Sequence, residues 1–266
     1  MLIRKAKTRD KNVVLDFCKN TFSWGDYIED VWDYWTLEGS LLVLTEKNTP
    51  VAICHSSFFD SQVWIEGIRV NNKFRKKGFA KNLVLKSESL AKNKKCTISK
   101  MLIATNNKKS LNLAYKLNYK KESTWNFYSL IPKISLKKTN VVIANKKIIC
   151  FLLSHLSSYV KSWRWLPLTK SNINLLIKEK RILYTIHKDS IDTLVIFTES
   201  EHFEKTLMLT LISGTKNGIE EIIHYFQNYA IKNNIKRIQI LTKAKTFPQI
   251  KNLQKRFSFY LMKKEL

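Results

Sequence analysis

The stretch Val70-Asn-Asn-Lys-Phe-Arg-Lys-Lys-Gly-Phe-Ala80 decides the fold of this chain. It follows an apolar, strand-like run, Val63–Val70, and leads into a helical run, Leu83–Leu90. The order of strand, basic glycine-containing loop and helix presents free backbone N–H groups at the start of the helix. Because the positive end of the helix dipole lies at the same place, the pattern predicts a site for an anion such as a diphosphate.

Further patterns follow this loop in the order of the chain. Met101–Thr105 is typical of a strand, and Asn107-x-x-Ser110-x-x-Leu113 begins the next helical run. Together with Arg75-x-x-Gly78-x-Ala80 and Lys116-Leu-Asn-Tyr119, this order resembles the Gcn5-related N-acetyltransferases (GNAT superfamily), whose coenzyme A loop has the pattern Gln/Arg-x-x-Gly-x-Gly/Ala. The resemblance covers the chain from residue 1 to about residue 130.

The resemblance implies an α/β (α+β) fold, in which helices flank a mixed, mostly antiparallel sheet. It also implies an enzyme, an N-acetyltransferase that moves an acetyl group from acetyl-coenzyme A (acetyl-CoA) to an amine. The residues that it assigns to acetyl-CoA are Ile68, Arg69, Val70, Arg75, Lys76, Lys77, Gly78, Phe79, Ala80, Lys81, Asn107 and Ser110. Asn107 and Ser110 are also expected to cap a helix, and both roles can hold together.

Glu66, in the strand before the loop, is the candidate general base. A carboxylate in a largely apolar strand is costly unless it is paired or used in chemistry. The alternatives are an ion pair with Arg69 or a position that faces solvent. His55, on the neighbouring strand, is a candidate second base on the acceptor side, with a hydrogen-bonded core histidine as the alternative.

In the family that this chain resembles, the usual general acid is a tyrosine four positions after the motif serine. Ala114 occupies that position here, and the tyrosine follows at Tyr115. One helical step turns a side chain by about 100°, so Tyr115 could point away from the reacting sulfur. Tyr115 is therefore the candidate acid, with core packing as the alternative, and solvent could protonate the leaving thiolate instead.

The segment Trp24–Trp35 is acidic and aromatic within a very basic chain. In the family, the corresponding region lines the acceptor cleft, so we expect Asp26, Tyr27 and Trp32 to contact a cationic amine. Packing of the tryptophans in the core is the alternative.

The same segment and Glu66–Val70 are loosely similar to the branch of the family that contains histidine N-acetyltransferase. This similarity implies a small free amine, such as an amino acid, as the acceptor. A protein N-terminus or a lysine side chain is the alternative within the class. A non-catalytic module that binds coenzyme A or nucleic acid is the alternative from another class.

The second half of the chain repeats the order of strands and helices of the first half, which predicts two domains, 1–134 and 135–266. In the second copy, Ile250–Arg256 is predicted to be a helix, and Leu253–Phe259 corresponds to Leu113–Tyr119.

The loop of this second copy, Ile212–Gly218, is shorter and lacks the pattern of the coenzyme loop. We therefore expect a tandem GNAT-like fold with a degenerate second half that does not bind the cofactor. An unrelated α/β domain is the alternative.

The 266 residues are 44% hydrophobic and 12% aromatic, which is sufficient for packed cores. A net charge of +26 suits a nucleic acid, yet the lysines are spread along the chain, which favours general solvation over a polyanionic partner. No apolar run reaches the length of a bilayer, no signal peptide pattern is present, and the four cysteines are scattered. We expect a cytoplasmic protein without a membrane partner and with reduced, buried thiols.

Overall fold

The computed structural model describes residues 1–22, 25–244 and 247–266. The chain forms two compact units: residues 1–122 with 261–266, and residues 123–260. The predicted domains, 1–134 and 135–266, remain a prediction, and the units of the structure divide after Glu122.

In the first unit, short helices alternate along the chain with the strands of a sheet. Its elements are β1 (Leu2–Lys5), α1 (Lys11–Cys18), α2 (Ile28–Leu37), β2 (Leu41–Glu46), β3 (Thr49–Phe59), β4 (Gln62–Val70), α3 (Phe79–Asn93), β5 (Ile98–Ala104), α4 (Lys108–Lys116) and the start of β6 (Lys120–Leu130). The sheet order is β1-β2-β3-β4-β5, in which all pairs are antiparallel except β4 with β5. This confirms the predicted mixed, mostly antiparallel sheet.

Helices cover both faces of this sheet. Helices α1 and α2 pack against β2 and β3 through a cluster that includes Val14, Trp35 and Ile53. Helix α3 packs on the other face, where Ser87 contacts Cys54, the neighbour of Ile53 along β3. Because successive side chains of a strand alternate between faces, His55 points toward α1 and α2, as Ile53 does.

The second unit begins within β6. Its further elements are β7 (Val142–Ile143), α5 (Ile149–His155), β8 (Ser158–Lys161), β9 (Arg164–Pro167), α6 (Lys170–Lys178), β10 (Ile182–His187), β11 (Ser190–Glu199), β12 (Thr206–Ser213), α7 (Lys216–Lys232), β13 (Arg237–Thr242) and β14 (Leu253–Glu265). The sheet order is β14-β6-β13-β12-β11-β10-β7, and β8 pairs with β9 separately. Helix α7 links β12 to its parallel neighbour β13.

The prediction of a helix over Ile250–Arg256 is wrong. A turn at Lys251–Asn252 leads into strand β14, which takes up Leu253–Glu265. Leu253–Phe259 is therefore extended, whereas Leu113–Lys116 lies in helix α4, and this part of the proposed repeat does not correspond. Sheet pairing of β14 outweighs the weak helical preference of its first residues.

The last residues of β14 belong to the first unit. The side chains of Leu261 and Met262 are buried, and the backbone N–H of Leu266 donates to the Thr97 carbonyl at 2.8 Å. Lys264 Nζ lies 2.7 Å from Glu88 Oε2, and the Tyr119 hydroxyl donates to Glu88 Oε1 at 2.9 Å. The first unit thus takes its last strand residues from the C-terminus of the chain.

Two global expectations can be compared with the structure. In the described residues, no helix has the length and apolar character needed to cross a bilayer. Cys18, Cys54 and Cys96 are buried and unpaired, as expected, but the unpaired Cys150 is exposed.

Candidate functional site

The predicted anion site lies at the start of helix α3. Gly78 is the N-cap residue and has φ of 80°, a left-handed conformation that favours glycine. Within the described chain, no side chain caps this terminus, and the amides of Phe79, Ala80 and Lys81 have no hydrogen-bond acceptor. The buried Phe79 side chain anchors the first turn of the helix.

Basic side chains surround this helix start. Arg75, Lys76, Lys77 and Lys81 are all exposed. Arg75 Nε donates to the Val70 carbonyl at 3.3 Å, and Lys77 Nζ lies 5.0 Å from the centre of the Phe74 ring. Lys77 also lies 3.6 Å from Glu46, an exposed contact that solvent screens. The arrangement can hold an anion with several negative oxygens.

Strand β4 carries a β-bulge immediately before this loop. Its pairing with β3 changes register so that Gly67 and Ile68 together stand opposite Cys54. Gly67 has φ of 63°, and a Cβ added there would collide with the Trp35 ring. The sequence therefore places glycine at a position of β4 where the Trp35 ring of helix α2 approaches the backbone.

Strands β4 and β5 pair only at one end. Their parallel register runs from Gln62 opposite Ile98 to Trp64 opposite Lys100, while β4 continues to Val70. Beyond Trp64, the edge of β4 that faces β5 is consequently open in the described structure. The predicted coenzyme residues Ile68, Arg69 and Val70 lie on this open part of the strand.

Glu66 lies on β4 between the bulge and the paired end, and its side chain is 14% exposed. Its Oε1 is 3.0 Å from His55 Nδ1, and its Oε2 accepts a hydrogen bond from Trp64 Nε1 at 3.2 Å. The structure therefore brings the two predicted bases, Glu66 and His55, into direct contact. These two contacts, of which the indole N–H is the defined donor, hold the Glu66 carboxylate at the open edge of the strand.

His55 is 0% exposed and contacts a second carboxylate. Its ring stacks on Trp35, with centroids 4.5 Å apart and an interplanar angle of 4°. Its Nε2 lies 3.1 Å from Glu38 Oε2, and the Glu38 side chain is 25% exposed. Sequence reasoning missed Glu38, although a carboxylate at the C-cap of α2 opposes the helix dipole and was a usable signal.

Arg69 and Asp26 form a buried ion pair. Arg69 Nε and Nη2 donate to the two Asp26 oxygens at 2.6 and 2.9 Å, and the Asp26 side chain is 2% exposed. The Arg69 guanidinium also lies over the Phe22 and Tyr27 rings. The Asp26 carboxylate and the Arg69 guanidinium are thus paired with each other.

The other acceptor candidates differ in accessibility. Tyr27 is partly buried beside Arg69, and burial raises the pKa of its hydroxyl, which keeps it protonated. Trp32 is 1% exposed within the core of the first unit, which supports the packing alternative. Trp24, which begins the predicted segment, lies outside the described residues.

The candidate acid and the capping residues lie on helix α4. Tyr115 is 49% exposed, so the alternative of core packing is wrong, and the buried neighbour is Ala114. Asn107 is the N-cap residue, and its Oδ1 accepts from the Ser110 amide at 3.1 Å. The expected capping role of these two residues is confirmed.

The second unit has a helix start of the opposite kind. At the N-terminus of α7, Thr215 Oγ1 accepts from the Gly218 amide at 3.2 Å. Asp192 accepts from both the amide and the hydroxyl of Thr215, at 3.1 and 2.9 Å. A carboxylate of the chain itself therefore occupies the place where an anion would meet the helix dipole.

Comparisons with known proteins agree with this fold. The sequence profile described as "Acetyltransferase (GNAT) family" matches residues 11–119. An acetyltransferase candidate from Thermoplasma acidophilum superposes with a TM-score of 0.66 at 15% identity, covering 100% of both chains. A GCN5-related N-acetyltransferase from Sphaerobacter thermophilus superposes with a TM-score of 0.64 at 11% identity, covering 99% of this chain and 95% of that one. No curated protein matches the chain. At these identities the likeness shows a shared fold.

Proposed function

We propose that this chain, which has the fold of the Gcn5-related N-acetyltransferases, transfers an acetyl group from acetyl-CoA to a primary amine. The observation that carries the proposal is the continuity of three features along Glu66–Lys81: a fixed carboxylate, an open bulged strand and an uncapped helix start. A donor bound by its phosphates at the helix start would reach along the strand to the carboxylate.

The donor fits the first unit by the chemistry of its binding groups. The pyrophosphate would lie on the amides of Phe79, Ala80 and Lys81, with Arg75 and Lys77 among the surrounding cations. The backbone of Ile68–Val70 would receive the extended arm, because this part of β4 is not paired with β5 in the described structure. Asn107 and Ser110 stay candidate contacts in addition to their capping role.

The reaction requires the protein to position the thioester and the amine and to supply one general base. Acetyl-CoA supplies a thioester that is already reactive toward an uncharged amine. Glu66 would take the proton that the amine nitrogen loses as the new C–N bond forms and the C–S bond breaks. Backbone N–H groups of Ile68–Val70 would stabilise the negative charge on the carbonyl oxygen. Tyr115 or solvent would return a proton to the departing thiolate.

A direct transfer is favoured over transfer through a cysteine of the protein. Cys54 is the thiol nearest to His55 in sequence, but it points to the α3 face and contacts Ser87. Burial raises the pKa of the Cys54 thiol to about 12, so it carries almost no thiolate at neutral pH. The acetyl group would therefore pass straight from donor to acceptor.

A small free amine, such as an amino acid, is our proposed acceptor, as the loose similarity to histidine N-acetyltransferase implies. The recessed position of Glu66 supports this choice over a lysine on a folded protein surface. An extended protein N-terminus would also reach Glu66 and is the alternative substrate.

We further propose that the catalytic region is residues 1–134 and that residues 135–266 are a degenerate copy. The capped start of α7 supports the second part, since Asp192 lies where a phosphate would bind.

A second function, a module that binds coenzyme A without catalysis, rests on one observation. Ala114 occupies the position of the usual acid, and Tyr115 is turned to solvent. Thiol release from acetyl-CoA that depends on an added amine would exclude this second function.

The test measures acetyl-CoA binding by calorimetry and thiol release with a panel of amino acids, peptides and polyamines. Gly78→Glu introduces a carboxylate and a strained φ at the α3 start, so we expect binding to fall by about a hundredfold or more with the fold intact. Lys92→Glu, at the other end of the same exposed helix surface, is the matched control and should change binding only slightly. Unchanged affinity in Gly78→Glu would remove the loop from the proposal.

A further inference from the structure

We infer that Ser135, His224 and Glu220 of the second unit form a hydrolytic site for small carboxylic esters that carry a negative charge. The inference is independent of the proposed acetyl transfer, since all three residues belong to residues 123–260. Ser135 and His224 are the catalytic residues, because they would contact the ester group. Glu220 acts through His224 and is a positioning residue.

Ser135 lies in a segment without regular secondary structure that follows β6 and contacts helix α7. One side chain holds its backbone: the Ser135 amide donates to Asn228 Oδ1 at 2.8 Å, and Asn228 Nδ2 donates to the Ser135 carbonyl at 2.9 Å. A further backbone contact, from the Asn140 amide to the Glu221 carboxylate, also holds the segment. These anchors do not involve the serine hydroxyl, which lies 2.9 Å from His224 Nδ1.

The hydrogen bonds around His224 assign its tautomer. The Lys133 amide donates to Gln227 Oε1 at 3.3 Å, so the group that lies 3.4 Å from His224 Nδ1 is the amide nitrogen of Gln227. That nitrogen can only donate, and therefore Nδ1 is an acceptor and Nε2 carries the proton. In this tautomer, Nδ1 receives the hydrogen bond of the Ser135 hydroxyl and can take its proton, as a general base does.

A carboxylate faces the other nitrogen of the imidazole. Glu220 precedes His224 by one turn of α7, and its Oε1 lies 3.4 Å from His224 Nε2. A hydrogen bond from Lys137 lowers the pKa of Glu220, against a smaller opposing effect of burial, and keeps the carboxylate charged. The three side chains thus have the order of nucleophile, base and orienting carboxylate that activates a serine hydroxyl.

The three residues line a cavity of about 320 Å³, from which a small molecule can reach the imidazole. The wall of this cavity combines two apolar residues, Ile134 and Ile250, with two cationic residues, Lys133 and Lys251. An acyl chain of a few carbons with a terminal carboxylate fits such a wall, because it can use both the apolar area and the positive charge.

The proposed reaction requires only the ester and water. Ser135 Oγ bonds to the carbonyl carbon while its proton moves to His224 Nδ1. The C–O bond to the leaving alcohol then breaks, and the alcohol takes the proton from His224. Water repeats the sequence: its oxygen bonds to the acyl carbon, one proton passes through His224 Nδ1 to Ser135 Oγ, and the acid is released. The Lys137 amide, 3.3 Å from Ser135 Oγ, is a donor for the negative carbonyl oxygen of the intermediate.

The first experiment treats the full chain with a fluorophosphonate probe, in which a serine oxygen replaces fluoride at phosphorus. Peptide mass spectrometry should locate the label on Ser135, and His224→Gln should slow labelling by about a hundredfold or more. His187→Gln, at an exposed histidine of the same unit, is the matched control and should be labelled at the wild-type rate. The inference is overturned by the absence of a label on Ser135 or by an unchanged rate in His224→Gln.

The second experiment measures turnover of two p-nitrophenyl esters, the hexanoate and the monoadipate, whose acyl chains have the same number of carbons. Wild type should release p-nitrophenol above the background that Ser135→Ala retains, and kcat/KM should be higher for the negatively charged adipate. Turnover equal to that of Ser135→Ala would overturn the site. An equal or higher kcat/KM for the hexanoate would overturn the assigned class of substrate.

Glu220→Gln tests the positioning role. It should lower kcat for the hexanoate ester by about tenfold and leave KM within about twofold, because the imidazole is less well oriented while the cavity is unchanged. Glu221→Gln, at the neighbouring carboxylate that binds the Asn140 amide, is the control and should keep the wild-type kcat. A wild-type kcat in Glu220→Gln would overturn the role assigned to Glu220.

A cysteine variant separates activation from packing if unfolding temperatures show that His224→Gln is not folded. Ser135→Cys keeps a nucleophile beside His224, and its thiol should react with iodoacetamide about tenfold or more faster than the exposed Cys150. An equal or slower reaction would overturn the inference, because it would show that His224 does not activate this position. Ester turnover and amine-dependent thiol release are separate readouts, so the failure of one proposal does not imply the failure of the other.

Discussion

Gly67 shows how one residue connects the sheet with the site. Its φ of 63° produces the bulge of β4, and its missing side chain leaves room for the Trp35 ring. Trp35 in turn stacks on His55, which contacts Glu66. The candidate base is thus positioned through a chain of contacts that begins at a glycine.

Substitution of Gly67 by alanine should therefore lower the free energy of unfolding by about 3 kcal/mol or more, because backbone strain and overpacking add. Gly39→Ala is the matched control, since Gly39 also has a positive φ of 73° but meets only the flexible end of Lys5. That control should lose about 1 kcal/mol. Urea unfolding curves measure both, and equal losses would show that the Trp35 contact does not matter.

Charged residues of the site were recognised by type, but their partners were not. Arg69 pairs with Asp26. Glu66 contacts His55 and Trp64. A sequence shows which groups need a partner when buried, but the choice of partner depends on strand register and helix placement, which act over many residues.

At the scale of elements, helices α3 and α7 each follow a strand, but their N-termini are capped differently. Gly78 leaves the amides of α3 open, whereas Thr215 and Asp192 close those of α7. The difference follows from side-chain chemistry at the cap. A glycine offers no acceptor, and a threonine with a neighbouring carboxylate offers two.

Asp192→Ala should lower the stability of the second unit by about 1 to 2 kcal/mol, because the Thr215 amide and hydroxyl lose their acceptor. Asp192→Asn keeps an acceptor oxygen and should recover most of the loss. Neither variant should gain a second acetyl-CoA site in calorimetry, since the α7 loop has no Arg-x-x-Gly-x-Gly/Ala pattern. A stability equal to wild type in Asp192→Ala would show that this cap contributes nothing.

Strand β14 is the element whose structure the local sequence pattern predicted least well. Leu253–Arg256 is polar and has no strong strand signal, while the aromatic run after Phe257 does. The whole segment becomes one strand because it is hydrogen-bonded within the sheet. Pairing with distant parts of the chain stabilises the strand conformation. A window of seven residues carries no information about that pairing.

At the scale of the whole molecule, the first unit is assembled from both ends of the sequence. Residues 1–122 depend on Leu261, Met262 and Lys264 to complete the sheet and the buried Glu88 network. The unit that carries the candidate site is therefore not a continuous segment of the chain.

A chain that ends at Tyr260 should consequently lose about 4 kcal/mol or more of stability in the first unit, because two buried side chains and the partner of Glu88 disappear. Hydrogen exchange of the β5 amides should accelerate, and acetyl-CoA binding should weaken with it. Removal of Leu266 alone is the control and should cost far less. Unaltered exchange in β5 after the longer truncation would contradict this view of the unit.

The sequence by itself determined the order of strand, basic loop and helix, the type of sheet and the cap formed by Asn107 and Ser110. These depend on spacing, residue type and local hydrogen bonds, which act over a few residues. Only the tertiary structure decided that β4 separates from β5, that Glu66 and Glu38 meet at His55, that Tyr115 faces solvent and that Leu261–Glu265 return to the first unit. Those features depend on sheet pairing and side-chain packing between residues far apart in the chain, whose energies no local pattern records.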